Sequence, residues 1–152
     1  MKNANNSIRI RNKKATYLYE IVETFTAGVQ LLGTEVKSIR GGNASLTEAY
    51  CAFVGDELYL KNMNIAEYDL GGYVNHEPRR ERKLLLNRQE LKKLEKKTKE
   101  RGFTIIPLSL FFNSKGLAKI DIALARGKRQ FDKRNDLKDK DSKRELDRMK
   151  KE

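Results

Sequence analysis

The sequence has little of what metal centres and catalytic sites are usually built from. Its 152 residues include no tryptophan, one cysteine (Cys51) and one histidine (His76). A single cysteine excludes an intramolecular disulfide and a zinc site made of several cysteines, and we expect Cys51 to be a small buried thiol. A single histidine cannot complete a familiar triad or zinc centre without further ligands. The chain is therefore predicted to be a binding protein with no catalytic residue, cofactor or metal.

Long apolar segments are absent as well. No run approaches the roughly 20 apolar residues that span a bilayer. The first residues, MKNANNSIRIRNKKA, lack the apolar segment of a signal peptide. We expect a cytoplasmic, monomeric protein that does not contact membranes.

Positive charge is abundant. Lys and Arg number 33 against 21 Asp and Glu, a net charge of +12 with a pI near 9.8, so nucleic acid is the partner that the composition favours. Residues 1–14 are predicted to be a flexible basic arm. Residues 126–152 are predicted to be a basic tail, too poor in apolar residues to offset its ordering entropy and therefore disordered until bound. A solvated end that only aids solubility is the alternative.

Residues 15–125, between these ends, have the patterns of short strands and two helices. Residues 17–25 are predicted to form a strand with both faces partly covered, and the GDE turn at 55–57 to close a hairpin. One helix is predicted to open at Thr34 as its cap, and another to run over about 88–101 with Asn87 as its cap. Five or six strands predict a mainly β fold: an OB-fold-like small antiparallel β-barrel with inserted α-helices and the basic C-terminal tail.

The last predicted hairpin has the clearest alternation. Residues 105–112 and 119–124 flank a turn at 113–116. One alternate set is apolar and is predicted to face the core: Ile106, Leu108, Leu110, Phe112, Ile120, Ile122 and Leu124. Lys119 falls in the other set, so we expect its side chain on the outer surface.

Charged side chains elsewhere give two further hypotheses. The basic residues around the RKLLL stretch are poorly balanced by acids and are candidates for phosphate contacts: Arg79, Arg80, Arg82 and Lys83. Lys37 and Arg40 are expected on the outer side of the first helix. A nuclease is the enzyme alternative, in which four acids meet around magnesium: Glu20, Glu23, Glu35 and Glu48. Nothing in their spacing requires such a site.

Four motifs, taken together and in order, resemble the SsrA-binding protein (SmpB) family. They are NKKA at 12–15, AG at 27–28 followed by GTEVKSIR at 33–40, NHEPRR at 75–80 leading into RKLLL at 82–86, and GKRQFDKR at 127–134. The resemblance implies an OB-like barrel that binds the tRNA-like domain of transfer-messenger RNA. It implies delivery of this RNA to stalled ribosomes for rescue and tagging of incomplete chains, without enzymatic activity. Elongation factor Tu and alanyl-tRNA synthetase are then indirect partners.

The resemblance also assigns RNA contacts to individual residues of the body, namely Asn12, Lys13, Leu85 and Lys119. Together with the basic clusters and neighbouring motif residues, the set predicted to bind RNA is Asn12, Lys13, Thr26, Lys37, Arg40, Arg79, Arg80, Arg82, Lys83, Leu85, Lys119, Ala125, Gly127 and Lys128. For Leu85 the alternative is core packing within its leucine triplet. Thr26 stands where family members often have glutamate, so a hydroxyl replaces a charged acceptor.

For the tail, the resemblance implies disorder in solution and a helix in the vacant mRNA channel of the ribosome. The residues expected to act there and near the decoding site are Phe131, Asp132, Lys133, Arg134, Leu137 and Met149. Many family members carry tryptophan where this chain has Ser142. From another class, a structural ribosomal protein with a basic extension remains the alternative function.

Overall fold

The computed structural model describes residues 8–70 and 72–128, which contain nine strands and three helices. The strands are β1 (Arg9–Arg11), β2 (Tyr19–Val29), β3 (Ala44–Ser45), β4 (Tyr50–Val54), β5 (Glu57–Lys61), β6 (Asn64–Ile65), β7 (Arg82–Leu85), β8 (Phe103–Phe112) and β9 (Ala118–Gly127). The helices are α1 (Ala15–Leu18), α2 (Gly33–Arg40) and α3 (Arg88–Thr98), with a 3₁₀ turn at Gly72–Val74. The predicted mainly β class is confirmed.

Seven of the strands belong to one antiparallel sheet. Their order is β1-β8-β4-β5-β7-β2-β9, and β8 pairs in addition with β9. The pairings therefore return from β9 to β8 in a closed cycle, and β1 lies outside the cycle as an extra partner of β8. β3 and β6 pair separately as a small two-stranded sheet. As a result, β8 and β9 lie next to each other at the centre of a broad outer surface.

Apolar side chains from the strands of the cycle and from α2 and α3 fill one main core. Its fully buried members include Ile39, Leu46, Leu58, Leu60, Leu84, Leu94, Leu110, Ile120 and Ile122. A second, smaller cluster forms where α1 covers the other face of β8 and β9, and it contains Ala15, Ile106, Ala123 and Ala125. Part of the sheet is thus buried on both faces.

A bulge in β8 changes the predicted alternation. The register with β9 shifts between Pro107 and Ser109, so Leu108 is an extra residue in this strand. Because side chains alternate with a period of two, one extra residue moves those before it to the opposite face. Ile106 and Leu108 therefore pack in the second cluster, and the prediction that they face the main core is wrong. Beyond the bulge, Leu110 faces the main core as predicted.

The hairpin of β4 and β5 and the helix α3 lie where local signals predicted them. Gly55, at the tip of the hairpin, has φ of 63°, the left-handed conformation that glycine adopts without strain. The Asn87 side chain accepts the Glu90 N–H at 2.8 Å and caps α3. Within the described residues, no helix combines the length and apolar character needed to cross a membrane.

The start of α2 differs in one respect from the prediction. Thr34 does not cap the helix, because its hydroxyl contacts Nδ1 of His76 at 2.9 Å. The Glu35 carboxylate instead accepts the Leu32 N–H at 2.7 Å, just before the first turn. The helix is therefore stabilised at its N-terminus by an acid inside it rather than by a hydroxyl in front of it.

The predicted flexible arm over residues 1–14 is wrong for its later part. Arg9–Arg11 forms β1 and pairs with β8. The chain then forms α1 at Ala15–Leu18, so the first two residues of the strand predicted over 17–25 are helical. Ile10 is the only buried side chain of β1, so this strand leaves little signal in the sequence. Residues 1–7 lie outside the described residues.

At the other end, the sheet continues past the predicted boundary at residue 125. Gly127 pairs with Tyr19, and the Lys128 N–H donates to the Leu18 carbonyl oxygen at 3.0 Å. The first residues of the predicted tail therefore belong to the folded body. The six predicted tail positions lie outside the described residues: Phe131, Asp132, Lys133, Arg134, Leu137 and Met149.

Candidate RNA interface

A continuous row of directly paired residues crosses five strands on the outer side of the sheet. We call it the first row, and in order across β1, β8, β9, β2 and β7 it consists of Arg9, Phe111, Lys119, Gly28 and Leu85. Directly paired residues present their side chains on the same face of a sheet. The first row is therefore one surface built from residues up to 110 positions apart in the sequence, Arg9 and Lys119.

A second row runs beside the first, two residues along each strand. It consists of Arg11, Ser109, Asp121 and Thr26, on β1, β8, β9 and β2. The Thr26 hydroxyl donates a hydrogen bond to the Asp121 carboxylate at 2.8 Å. Hence, although position 26 has no carboxylate of its own, the facing strand supplies one in contact with it.

A groove crosses the first row at Gly28. A Cβ atom at this position would lie 3.3 Å from Cβ of Leu85, so glycine lets the two strands present a flat floor. Leu85 is 47% exposed, whereas its neighbour Leu84 is fully buried. The alternative that Leu85 packs in the core is therefore wrong, since Leu84 occupies that position.

Four of the predicted RNA-binding residues line this groove, which encloses about 510 Å³: Thr26, Lys83, Leu85 and Lys119. The first turn of α3 forms its far wall with Arg88 and Leu91. Lys83 lies 3.7 Å from Glu57 and is one-third exposed. The lysine side chains can reach phosphate oxygens from the groove, while Leu85 offers an apolar surface to a sugar or base.

A neighbouring groove of about 490 Å³ adjoins the β1 end of the two rows and includes Asn12 and Lys13. The Asn12 side chain donates to the Pro107 carbonyl oxygen at 2.9 Å. It thereby holds the turn between β1 and α1 against the bulge of β8. Lys13 is exposed at the rim. The structure thus brings both residues to the same outer side as the rows.

The prediction that Arg82 contacts phosphate is wrong. Arg82 is fully buried, and its Nε donates to Glu35 Oε2 at 2.6 Å. Its other nitrogens donate to the carbonyl oxygens of Met63 at 2.8 Å and Pro78 at 3.1 Å. The guanidinium is thus bound inside the protein on all sides. Arg80 also bonds Glu35, at 2.6 Å, but keeps a third of its side chain exposed.

Glu35 is the structural residue that sequence reasoning missed. Burial by itself raises the pKa of its carboxyl group, but the hydrogen bonds from Arg80 and Leu32 and the charge of Arg82 outweigh burial and lower the pKa below its ordinary value. Glu35 is therefore a buried anion that joins α2 to β7. Its only sequence signal is an acid in the first turn of a helix, because both arginines come more than forty residues later.

Three predicted residues lie at the end of β9. Ala125 is fully buried in the second cluster, so its side chain is not available to RNA. Gly127 is exposed. Lys128 is partly exposed beside α1, where its backbone is bonded to Leu18.

The remaining predicted basic residues lie off the two rows. Lys37 and Arg40 project from α2, as predicted, over the rings of Tyr68 at 5.4 Å and Phe112 at 4.4 Å. Arg79 is half exposed and donates to the Asn62 side chain at 3.0 Å. These cations extend the positive surface without joining the rows.

The four acids of the magnesium hypothesis do not meet. Each pairs with different cations: Glu20 with Arg126 at 3.1 Å, Glu23 with Lys93 at 2.7 Å, Glu48 with Arg79 at 3.5 Å, and Glu35 with Arg80 and Arg82. Nowhere in residues 8–70 and 72–128 do three acidic, histidine or cysteine side chains come close enough to hold a metal ion. The meeting of these four acids, on which the nuclease alternative depends, is therefore contradicted.

The single histidine and the single cysteine are both structural. His76 is buried, and its Nε2 lies 2.9 Å from the Ile65 carbonyl oxygen, so this nitrogen carries a hydrogen and donates it. Burial raises the pKa of the Cys51 thiol, which keeps it protonated and unreactive. The expectation of a buried thiol is confirmed.

An outer sheet surface that combines cations, an aromatic ring and an exposed leucine is typical of proteins that bind RNA through β-strands. The chain belongs to the SmpB protein family, which matches residues 9–152. It is 61% identical to the SsrA-binding protein of Phocaeicola vulgatus over 93% of this chain and 95% of that protein. It is 56% identical to the SsrA-binding protein of Flavobacterium psychrophilum over 96% of this chain and 97% of that protein.

A solved structure has a fold similar to that of this chain. Its matching chain, from work described as "tmRNA-SmpB: a journey to the center of the bacterial ribosome", is 46% identical and superposes with a TM-score of 0.69. The match covers 82% of this chain and 87% of that chain. The resemblance found in the four sequence motifs is therefore confirmed.

Proposed function

We propose that this protein binds the tRNA-like domain of transfer-messenger RNA and delivers it to stalled ribosomes for rescue and tagging of incomplete chains. One observation carries the proposal: Thr26, Lys83, Leu85 and Lys119, which come from three different strands, line a single groove. The relatives are named for SsrA binding, and the similar solved structure concerns transfer-messenger RNA on the ribosome.

The two rows and the groove at Gly28 recognise RNA by its backbone and shape. Lys119 and Lys83 bind phosphates as point charges, and Leu85 packs on a ribose or base that the RNA exposes. Thr26 and Asp121 form the polar part of the contact, because a carboxylate accepts hydrogen bonds from ribose hydroxyls and base amino groups. The protein acts through binding alone, without a catalytic step or cofactor.

An OB-like barrel is the architecture that this function uses. The closed cycle of pairings from β8 through β4, β5, β7, β2 and β9 back to β8 supports it, with α3 inserted between β7 and β8. A closed sheet fixes the separation of the strands that carry the rows. The RNA is therefore met by a surface that is already in place.

Residues 129–152 serve a separate step. They enter the vacant mRNA channel and fold there, with Asp132, Lys133 and Arg134 at the decoding site and the apolar residues as anchors: Phe131, Leu137 and Met149. The protein works as a monomer in the cytoplasm. Elongation factor Tu and alanyl-tRNA synthetase act on the same RNA and meet this chain only indirectly.

A competition experiment tests the RNA partner. Binding of the full chain to a tRNA-like fragment of transfer-messenger RNA is measured across a salt series, with excess ordinary tRNA as competitor. We expect binding to survive the competitor, because shape-specific contacts add to the phosphate contacts that any RNA offers. Binding that disappears with competitor and modest salt overturns the proposal and favours the alternative of a structural ribosomal protein.

The division of labour between body and tail has its own test. Replacing Asp132, Lys133 and Arg134 together by alanine is expected to leave the affinity for the RNA fragment unchanged and to abolish tagging of stalled chains. Lys97→Ala, on the exposed side of α3, is a control that removes one positive charge from the body and leaves tagging intact. Parallel losses of RNA binding and tagging in the triple variant contradict separate roles for body and tail.

A further inference from the structure

The β1 end of the first row holds an arginine stacked on an aromatic ring. The guanidinium carbon of Arg9 lies 4.3 Å from the centroid of the Phe111 ring. Its Nη1 donates to the Ser109 hydroxyl at 2.8 Å and lies 3.6 Å from the Asp121 carboxylate. Contacts to three side chains on two neighbouring strands fix the position of this guanidinium.

The outer side of this guanidinium remains open. The Arg9 side chain is 38% exposed, and it borders the groove of about 490 Å³ that also contains Arg11 and Lys13. The Phe111 ring covers one face of the guanidinium, and Arg9 lines the groove. The groove therefore combines a flat guanidinium held in place with two exposed cations, Arg11 and Lys13.

The ligand that suits such a surface is a flat one. Phosphate is disfavoured at Arg9 itself, because Nη1 already bonds Ser109 and the Asp121 carboxylate nearby offsets the positive charge. A nucleobase needs neither free donors nor net charge, since it stacks on the plane of a guanidinium or an aromatic ring. A base can do this only where it has left the helical stack, as in a loop or bulge.

We propose that Arg9, held on Phe111, is a stacking site for an unpaired base of the bound RNA, with Arg11 and Lys13 reaching the phosphates on either side. This inference rests on the proposed RNA-binding function and extends it from the groove at Gly28 to β1. Arg9 is then a residue that selects for unpaired nucleotides, in contrast to Lys119, which contacts phosphate in paired and unpaired RNA alike.

Arg9→Lys tests the stacking site, because it keeps the positive charge and removes the planar guanidinium group. Two RNAs are compared: a stem-loop with 2-aminopurine in the loop and a fully paired duplex with the same number of phosphates. The chain has no tryptophan, so the fluorescence of 2-aminopurine is measured without interference. We expect quenching of the loop base by the natural protein, and about tenfold weaker binding of the stem-loop, with less quenching, by Arg9→Lys.

The controls separate stacking from charge and from folding. The salt dependence and the affinity for the duplex are expected to be the same for Arg9→Lys and the natural protein, since the number of cations is unchanged. Phe111→Leu, which removes the supporting ring and keeps Arg9, is expected to weaken stem-loop binding in the same way. Arg101→Lys, exposed after α3, is expected to bind both RNAs like the natural protein, and thermal unfolding verifies that all variants are folded.

Two results overturn the stacking site: stem-loop affinity and quenching that are unchanged in Arg9→Lys, or equal losses for the stem-loop and the duplex. Neither depends on which cellular RNA is the partner. If ordinary tRNA competes fully with the transfer-messenger RNA fragment while Arg9→Lys still loses the loop contact, the proposed function fails and the stacking site stands.

Discussion

Glu35 and Arg82 form an ion pair with no exposed surface on either side chain, and Nε lies 2.6 Å from Oε2. The pair joins α2 to β7 across a separation of 47 residues. β7 also carries Lys83 and Leu85, which line the groove. The position of these two residues therefore depends on a fully buried salt bridge. A buried pair of this kind contributes little net stability over an apolar pair, but removing one partner leaves a buried charge alone.

Glu35→Gln is therefore expected to reduce the free energy of unfolding at pH 7 by about 3–5 kcal/mol. The bonds from Arg80 and Leu32 and the charge of Arg82 hold the folded-state pKa of Glu35 below its ordinary value, so its carboxylate contributes stability above the unfolded-state pKa and loses it as pH falls through the folded-state value. The difference between the natural protein and the variant should thus shrink as the pH falls below the ordinary pKa of a glutamate. Urea unfolding from pH 7 to pH 3 measures it.

Glu48→Gln is the matched control, because Glu48 pairs with Arg79 at 3.5 Å on the surface. An exposed pair is worth less than about 1 kcal/mol, so this variant should unfold almost like the natural protein at every pH. Equal stability of Glu35→Gln and Glu48→Gln at pH 7 would contradict a structural role for the buried pair.

Lys119→Ala is expected to weaken binding of transfer-messenger RNA and to reduce its salt dependence by about one phosphate contact. Lys119 stands at the centre of the first row, between Phe111 and Gly28. Affinity is measured at several salt concentrations and the slopes are compared. Lys99→Ala, at the far end of α3 with its side chain 76% exposed, removes the same charge and should keep the natural slope. An unchanged slope for Lys119→Ala removes this lysine from the interface.

Gly28→Ala is expected to weaken RNA binding several-fold while the protein stays folded. The added Cβ would lie 3.3 Å from Cβ of Leu85, which is closer than most carbon contacts, so Leu85 must shift and the floor of the groove rises. Calorimetry of RNA binding, with thermal unfolding in parallel, tests this. Gly33→Ala, where no atom lies within 4 Å of the new methyl group, should bind normally. Natural affinity of Gly28→Ala would show that the floor of the groove is not in contact with RNA.

Two truncations locate the end of the folded body. A chain that stops after Lys128 should unfold cooperatively with nearly natural stability. A chain that stops after Ala125 loses the pairs of Tyr19 with Gly127 and of Glu20 with Arg126, and should be less stable by about 1–3 kcal/mol at roughly 1 kcal/mol per hydrogen bond. Urea unfolding of both chains decides between these boundaries. Loss of cooperative unfolding in the longer chain would mean that later residues belong to the core.

Sequence patterns predicted the features that depend on neighbouring residues. Asn87 and Glu90 are three positions apart, so the cap of α3 is visible in the sequence. The outward position of Lys119, which is partly exposed, follows from alternation with its buried neighbour Ile120. Its assignment to RNA came instead from the resemblance, as did those of Leu85 and Thr26.

The features that were missed depend on distant residues. Leu108 bulges because of how β8 pairs with β9, and alternation within β8 alone cannot reveal this. Arg82 belongs to a basic cluster in the sequence, but it is buried because it pairs with Glu35, which lies far earlier in the chain. The two rows likewise exist only after five strands have come together.

The bond between Lys128 and Leu18 gives residues 129–152 a fixed point of attachment beside α1. Fully extended, this segment reaches about 80 Å from that point at most. The proposed binding of residues 129–152 in the mRNA channel therefore requires that channel to lie within this distance of Lys128. The position in which the body binds thus limits which parts of the ribosome these residues can reach, and the last pair of β9 sets the centre of that range.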